Sequence, residues 1–296
     1  MPCARLSIAN RVTSSNTGNK MKLRFFHITI LLLVATGTMA QKSIVYKGVL
    51  TGVNSAPVEY ATISIPSHRS GTLSGPDGTF SIQLPIGCSD TVLISHVSYN
   101  ELRISADKLL TMASPIIMQP KELDELVVHD GKRKKARLAG KGTRIPGGVT
   151  TFTTGSLGNE IGTVVEVKRV FEVHEFSFTV CSNNIDNARV SMNIYKTDET
   201  GMTFMNKLHA PVYADIPASD GKQKITVVPD KPLVIEPGIY FVSLMFVDCG
   251  SSADIDNGTI HFPLYIKRSY TRKGAGCGLE KVPVNMGLDV SGFEYR

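Results

Sequence analysis

Short runs in which apolar and polar residues alternate recur along the chain. From Thr79 to Leu84, alternation places Phe80, Ile82 and Leu84 on one face of a strand. The same rule groups Phe176 with Phe178 and Val180, and Val190 with Met192 and Ile194. Turn residues such as Gly75-Pro76-Asp77-Gly78 separate the runs. Because no long helical period interrupts the pattern, the sequence predicts an all-β fold.

The runs fall into two groups of predicted strands. In the first half they cover Ser43–Val49, Val58–Ile65, Thr72–Ser74, Thr79–Leu84, Thr91–Ser95, Pro115–Met118 and Leu126–Val128. In the second half they cover Thr163–Phe171, Glu175–Val180, Ala188–Tyr195, Lys224–Val228, Gly238–Phe246 and Thr259–Ile266. We therefore expect one β-sandwich over residues 42–128 and a second, jelly-roll-like β-sandwich over residues 149–296.

The first half also carries short motifs in a characteristic order. They are Gly48-Val49, Pro57-Val58, Ala61-Thr62-Ile63, Asp77-Gly78-x-Phe80-Ser81-Ile82, Leu93-Ile94-Ser95-x-x-x-Tyr99, Met118-x-Pro120 and Leu123-x-Glu125-Leu126-Val127-Val128. This order resembles the carboxypeptidase regulatory-like domain, although Ser98-Tyr99 stands where the family has Gly-Tyr. The resemblance implies a seven-stranded transthyretin-like (prealbumin-type) sandwich in an exported protein of Bacteroidetes. The second half is similar to the sandwich found behind such domains.

The resemblance does not imply catalysis. A metallocarboxypeptidase domain supplies His-x-x-Glu, and none of the seven histidines here is followed three residues later by Glu. His174-Glu175 is interpreted as a surface pair, because neighbouring strand residues point to opposite faces. Ser74 lies in a turn without a Gly-x-Ser-x-Gly motif, and His96 and Tyr99 are expected to serve packing and the sheet edge. We expect no enzyme activity and no catalytic residues.

Two further segments are candidates for ligand binding. Asp254-Ile255-Asp256-Asn257-Gly258 has the clustered oxygens that calcium prefers, but it lacks a later acidic ligand at EF-hand spacing. A plain turn is the preferred interpretation. Gly274-Ala275-Gly276-Cys277-Gly278 lacks the following helix that a dinucleotide site requires. We expect neither a cofactor nor a metal.

The first forty residues are typical of an export signal. Two cations follow Met21, an apolar run extends from Ile28 to Ala35, and Gly37-Thr38-Met39-Ala40 offers a small-residue cleavage site. Cleavage there would leave Gln41 as the first residue, and the run is too short to span a membrane. We interpret residues 21–40 as a signal peptide and residues 1–20 as an over-extension, with an uncleaved anchor as the alternative.

Export would place the cysteines in an oxidising compartment. The mature chain would keep Cys88, Cys181, Cys249 and Cys277. Pairing of Cys249 with Cys277 is preferred because both lie in glycine-rich turns, and free buried thiols are the alternative.

The formal charge of +6 is unevenly distributed. Residues 1–40 carry five bases and no acid, and residues 130–144 carry seven bases and one acid. The two predicted sandwiches are therefore mildly acidic, and no nucleic-acid partner is expected. Residues 129–148 are predicted to be a basic, glycine-rich linker, with a weak polyanion contact through residues 132–144 as the alternative.

Together these features predict a non-catalytic exported protein that acts as a binding, adhesion or scaffold module at the bacterial cell envelope. Its partner would be an envelope protein or a glycan, and its location the periplasm, the outer membrane or the cell surface. A glycan-binding accessory protein of an outer-membrane uptake system is the first alternative, and a hydrolase with an unrecognised site is the second. No transmembrane span is expected in the mature chain.

Overall fold

The structure is a computed structural model that describes residues 43–87, 89–122, 131–198, 204–231, 233–250, 257–273 and 277–296. Its first strands are β1 (Ser43–Gly52), β2 (Thr62–Ile65), β3 (Ser70–Leu73), β4 (Thr79–Pro85), β5 (Thr91–His96), β6 (Tyr99–Ser105) and β7 (Ile116–Met118), with helix α1 (Ala106–Thr111) before β7. The later strands are β8 (Arg133–Ala139), β9 (Thr143–Thr153), β10 (Asn159–Val167), β11 (Phe171–Val180), β12 (Ser182–Asn183), β13 (Ala188–Thr197), β14 (Phe204–Asn206), β15 (Val212–Ile216), β16 (Gln223–Val227), β17 (Leu233–Ile235), β18 (Gly238–Asp248), β19 (Thr259–Lys273), β20 (Glu280–Asn285) and β21 (Asp289–Tyr295). Short 3-10 turns span Pro66–His68 and Thr154–Ser156.

The strands before α1, together with β7, form a first sandwich. Its sheets run in the orders β4-β1-β7 and β3-β2-β5-β6, and β1 pairs antiparallel with β4 and parallel with β7. The predicted apolar face of β4 is confirmed, because Phe80, Ile82 and Leu84 are buried while the residues between them are exposed. They share one core with Ile63 of β2 and Ile94 of β5.

The later strands form a second sandwich. One sheet, called the large sheet here, runs β12-β19-β10-β18-β13-β14, with β15 paired to β13 and with β9 and β20 paired to β19. The other runs β16-β11-β21-β8, with β17 paired to β11. The predicted inward residues of β11 and β13 are fully buried in a core that both sheets share. The described part of the protein is thus mostly β, with sheets that are antiparallel except for the β1–β7 pair and that pack as sandwiches.

Two strand boundaries differ from the sequence prediction. Residues Val58–Ala61 were predicted as strand but form a turn, and β2 begins only at Thr62. Tyr60 in this turn has φ of 53°, a left-handed conformation that cannot continue a strand. The predicted strand Thr163–Phe171 is interrupted, since β10 ends at Val167 and β11 begins at Phe171.

The basic segment is not the flexible linker that its charge and glycines predicted. Strand β8 pairs antiparallel with β21, and β9 pairs antiparallel with β19. Ala139 of β8 is buried in the second core, and Ala136 and Leu138 pack partly against that core. The cations between them project outward, where Arg133 and Arg137 form ion pairs with acids of β11 and β21. These small and apolar residues are enough to hold a basic strand on the sheet edge.

Several predicted features lie outside the described residues. They are the leader over residues 1–40, the predicted strand Leu126–Val128, Cys88, the aspartates of the calcium candidate, and residues 274–276. Across the described ranges, no helix is both long and apolar enough to traverse a bilayer.

Candidate functional site

The large sheet is buried on both faces where β13 and β18 run side by side. Val190 and Met192 face the second core, yet Ser191 and Asn193, which point the other way, are also buried. On that outer face, residues of β18 pack against Tyr60 of the first sandwich. Because Ser43–Arg296 belongs to one compact unit, this contact is an interface between the two sandwiches within one body.

Ser74 holds the turn that presents Tyr60 to this interface. The Ser74 hydroxyl donates to the Val58 carbonyl at 2.7 Å and accepts from the Ala61 amide at 2.9 Å. Ser74 is 1% exposed, so water cannot replace these bonds. They fix a left-handed conformation that is costly for a bulky residue such as Tyr60. Ser74 therefore stabilises the turn.

The Tyr60 ring is fixed by partners on the second sandwich. Its hydroxyl donates to Asp248 Oδ2 at 2.6 Å, and its ring meets Tyr213 edge-on with centres 5.4 Å apart. Burial, reinforced by Asp248, raises the pKa of Tyr60, so the hydroxyl stays a donor. The Arg189 guanidinium lies over the Tyr213 ring. It also donates to Asp215, from Nε to Oδ1 at 2.6 Å and from Nη2 to Oδ2 at 3.2 Å. The interface is thus held by directional contacts as well as apolar packing.

A cleft of about 380 Å³ opens beside this contact, with β5 and β6 on one side and β13, β14 and β18 on the other. Four tyrosines and three amide side chains contribute to its lining: Tyr60, Tyr99, Tyr195, Tyr213, Asn100, Asn193 and Asn206. Small-molecule sites in proteins occupy roughly 300–1,000 Å³. The cleft therefore has the size and the mixture of aromatic and polar groups that a polar ligand requires.

A buried charge network underlies the floor of the cleft. Glu160 on β10 lies opposite Arg272 on β19, and Glu160 Oε2 accepts from Arg272 Nε at 2.8 Å and Nη2 at 2.7 Å. Glu160 Oε1 accepts from the Tyr195 hydroxyl at 2.8 Å and from Asn193 Nδ2 at 3.2 Å. The Arg272 guanidinium also lies 4.4 Å from the Tyr195 ring centre. Glu160 thereby sets the orientation of three side chains that line the cleft.

The network raises the pKa values of Arg272 and Tyr195. Burial alone would lower the pKa of Arg272, but the Glu160 carboxylate and Tyr195 outweigh that effect and raise it. Burial, followed by the charge of Glu160, raises the pKa of Tyr195 well above its usual value. The floor therefore presents a fixed guanidinium and a protonated phenol.

His96 and Tyr99 stand in the opposite wall, with ring centres 5.3 Å apart. His96 Nδ1 accepts the Ser98 amide at 3.2 Å, and its buried Nε2 has no hydrogen-bond partner among the described residues. Burial lowers the pKa of His96 to about 4, so the ring is neutral at pH 7. The sequence assigned these two residues to packing and the sheet edge, whereas the structure places both at the cleft.

The other sequence candidates lie elsewhere. The exposed ring of His174 on β11 contacts Phe293, with ring centres 5.8 Å apart, and Glu175 is partly buried on the same strand. The preferred disulfide was wrong, because Cys249 and Cys277 are both free thiols. Cys249 packs into the second core after β18, whereas Cys277 follows β19 near Arg272. Burial raises the pKa of both thiols.

No group of three or more His, Cys, Asp or Glu side chains in the described ranges is placed to hold a metal ion. The residues that build the cleft floor were not identified from the sequence. Their only local signal is the polar series Ser191, Asn193 and Tyr195, which alternates with the apolar face of β13. That series is equally typical of a strand face exposed to water.

No family model and no curated protein matches the chain. Among solved structures, that of the infectious bursal disease virus Gt strain shares 13% identity over 85% of this chain, with a TM-score of 0.24. The chain spans 64% of the length of that viral protein. A structure of promiscuous carbohydrate-binding modules from the β-sandwich superfamily shares 10% identity over 79% of this chain and 96% of its own, with a TM-score of 0.21. At TM-scores this low, neither protein's function is transferred to this chain.

Proposed function

We propose that this is a non-catalytic, exported binding protein of the bacterial cell envelope that takes a saccharide into the cleft between its sandwiches. The proposal rests on the side chains that line the cleft and on its volume. Tyrosine rings offer flat apolar faces with a polar tip, and amide groups both donate to and accept from sugar hydroxyls. A volume of about 380 Å³ suits one or two sugar rings.

Sequence patterns and the sheet order support the proposed envelope location and the proposed fold types of the two sandwiches. Residues 21–40 have the order of a cationic start, an apolar run and a small-residue cleavage site. The motif order from Gly48 to Val128, together with the two sheets of the first sandwich, supports a carboxypeptidase regulatory-like domain of transthyretin type. The strands of the second sandwich support a jelly-roll-like domain.

The proposed protein is non-catalytic because the carboxyl groups at the cleft are already bound by neighbouring side chains. A glycoside hydrolase needs two carboxyl groups facing its substrate. Glu160 is saturated by Arg272, Tyr195 and Asn193, and Glu101 at the rim accepts from Arg103 Nε at 2.7 Å. Both glutamates therefore hold neighbouring side chains of the cleft in position.

A glycan array probed with the purified protein, with a pull-down from envelope extract in parallel, tests the proposal. We expect saturable binding to at least one short oligosaccharide. A stable protein partner without any glycan signal would overturn the saccharide site and favour an adhesion or scaffold role.

A further inference from the structure

The cations that line the cleft differ in their ion pairs. Glu101 is paired with Arg103 at the exposed rim, and Glu160 is paired with Arg272 beneath the floor. Lys121 is the remaining cation of the lining, and it forms no ion pair with any described residue. Among the described residues, Lys121 is therefore the lining cation without an ion-pair partner.

Lys121 is held where a ligand would meet it. It belongs to the first sandwich, but its Nζ reaches the second, donating to the Asn206 carbonyl at 3.3 Å. The side chain is partly buried, which reduces the water available to its charge. An ammonium group has three N–H donors, so the bond to Asn206 leaves two for a ligand. A partly desolvated cation with spare donors favours a ligand that brings a negative charge.

We infer that the ligand of the cleft is an acidic saccharide whose carboxylate binds Lys121. The inference rests on the proposed function and narrows it to a class of sugar. One unpaired ammonium matches the single charge of a carboxylate, whereas a phosphate monoester carries close to two charges. The tyrosines and amides of the cleft then bind the uncharged part of the ring.

Isothermal titration calorimetry with two probes tests the inference. The probes are a glucuronic acid–glucose disaccharide and its methyl ester, which lacks the carboxylate charge and carries one extra methyl group. We expect the wild-type protein to bind the acid at least about tenfold more tightly than the ester, as one charge-assisted hydrogen bond implies. Lys121→Gln should bind the acid about tenfold to a hundredfold more weakly and leave the ester's affinity unchanged.

Two variants control for the loss of charge and of fold. Lys108→Gln removes a lysine of α1 that does not line the cleft, and it should behave as wild type. Lys121→Arg should keep the preference for the acid. Equal wild-type affinities for acid and ester, or an unchanged preference in Lys121→Gln, would overturn the inference while the saccharide site stands. A wild-type protein that binds neither probe and no array glycan would overturn both.

Discussion

Single residues far apart in the sequence determine the geometry of the cleft. Ser74 closes the turn that points Tyr60 at the second sandwich, and Glu160 orients Arg272 and Tyr195 beneath the ligand space. Neither Ser74 nor Glu160 belongs to a motif. Each is buried, and its removal would take a hydrogen-bond partner from other buried polar groups.

Ser74→Ala should lower the free energy of unfolding by about 1–3 kcal/mol, because the buried Val58 carbonyl and Ala61 amide each lose a partner. Urea unfolding followed by circular dichroism measures the change. Ser81→Ala, at an exposed position of β4, is the matched control and should stay within about 0.5 kcal/mol of wild type. Equal effects of the two substitutions would contradict the role of Ser74.

His96 should make stability depend on pH. Its pKa is about 4 in the folded protein against an ordinary value of 6.5, so the unfolded chain binds the proton first as the pH falls. Its contribution is complete above pH 6.5 and is lost as the pH falls towards 4.

In His96→Gln, the loss of unfolding free energy between pH 7 and pH 4.5 should therefore shrink by about 2 kcal/mol relative to wild type. Urea titrations of both proteins at the two pH values measure this difference. The same loss in variant and wild type would contradict a buried neutral ring at this position.

At the scale of elements, alternation predicted which residues of β4, β11 and β13 face a core. It did not predict the turn Val58–Ala61, because β-branched neighbours mimic a strand while the left-handed Tyr60 is invisible in the sequence. Helix α1 was missed because its six residues are too few for a helical period. Its cap, the Ser105 side chain accepting from the Lys108 amide, is the local signal that marks it.

The basic strand β8 shows why charge alone misleads. A run of cations is typical of linkers, but it is also typical of edge strands, where lysine discourages pairing with another chain. What distinguishes β8 is the alanine and leucine pattern between the cations, which reaches the second core.

Trypsin should therefore spare the sites within the paired strands of the folded protein, which are Arg133, Lys134, Lys135 and Arg137 of β8 and Arg144 of β9. Strands β8 and β9 are hydrogen-bonded to β21 and β19, and a protease needs an unpaired, extended substrate. Limited proteolysis with mass spectrometry reads out the cuts, and the urea-unfolded chain provides the fully cleaved reference. Early cleavage at these five sites of the folded protein would restore the linker hypothesis.

At the scale of the whole molecule, two β-sandwiches were foreseeable and the cleft between them was not. Each sandwich follows from local alternation and turns, but the cleft exists only where the two meet. Its ion pair joins residues 112 apart in sequence, and its walls come together where Tyr60 of the first sandwich packs against β18. Such pairings depend on tertiary contacts that no short pattern contains.

The most direct test of this account blocks the cleft without touching its charge network. Ser95 of β5 lines the cleft, so Ser95→Tyr places a ring inside it, whereas Ser81→Tyr adds the same ring at an exposed position of β4. Calorimetry with the glucuronic acid–glucose disaccharide should show binding weakened by at least about tenfold in Ser95→Tyr and unchanged in Ser81→Tyr. Wild-type affinity in a Ser95→Tyr protein that is folded by circular dichroism would contradict the cleft as the binding site.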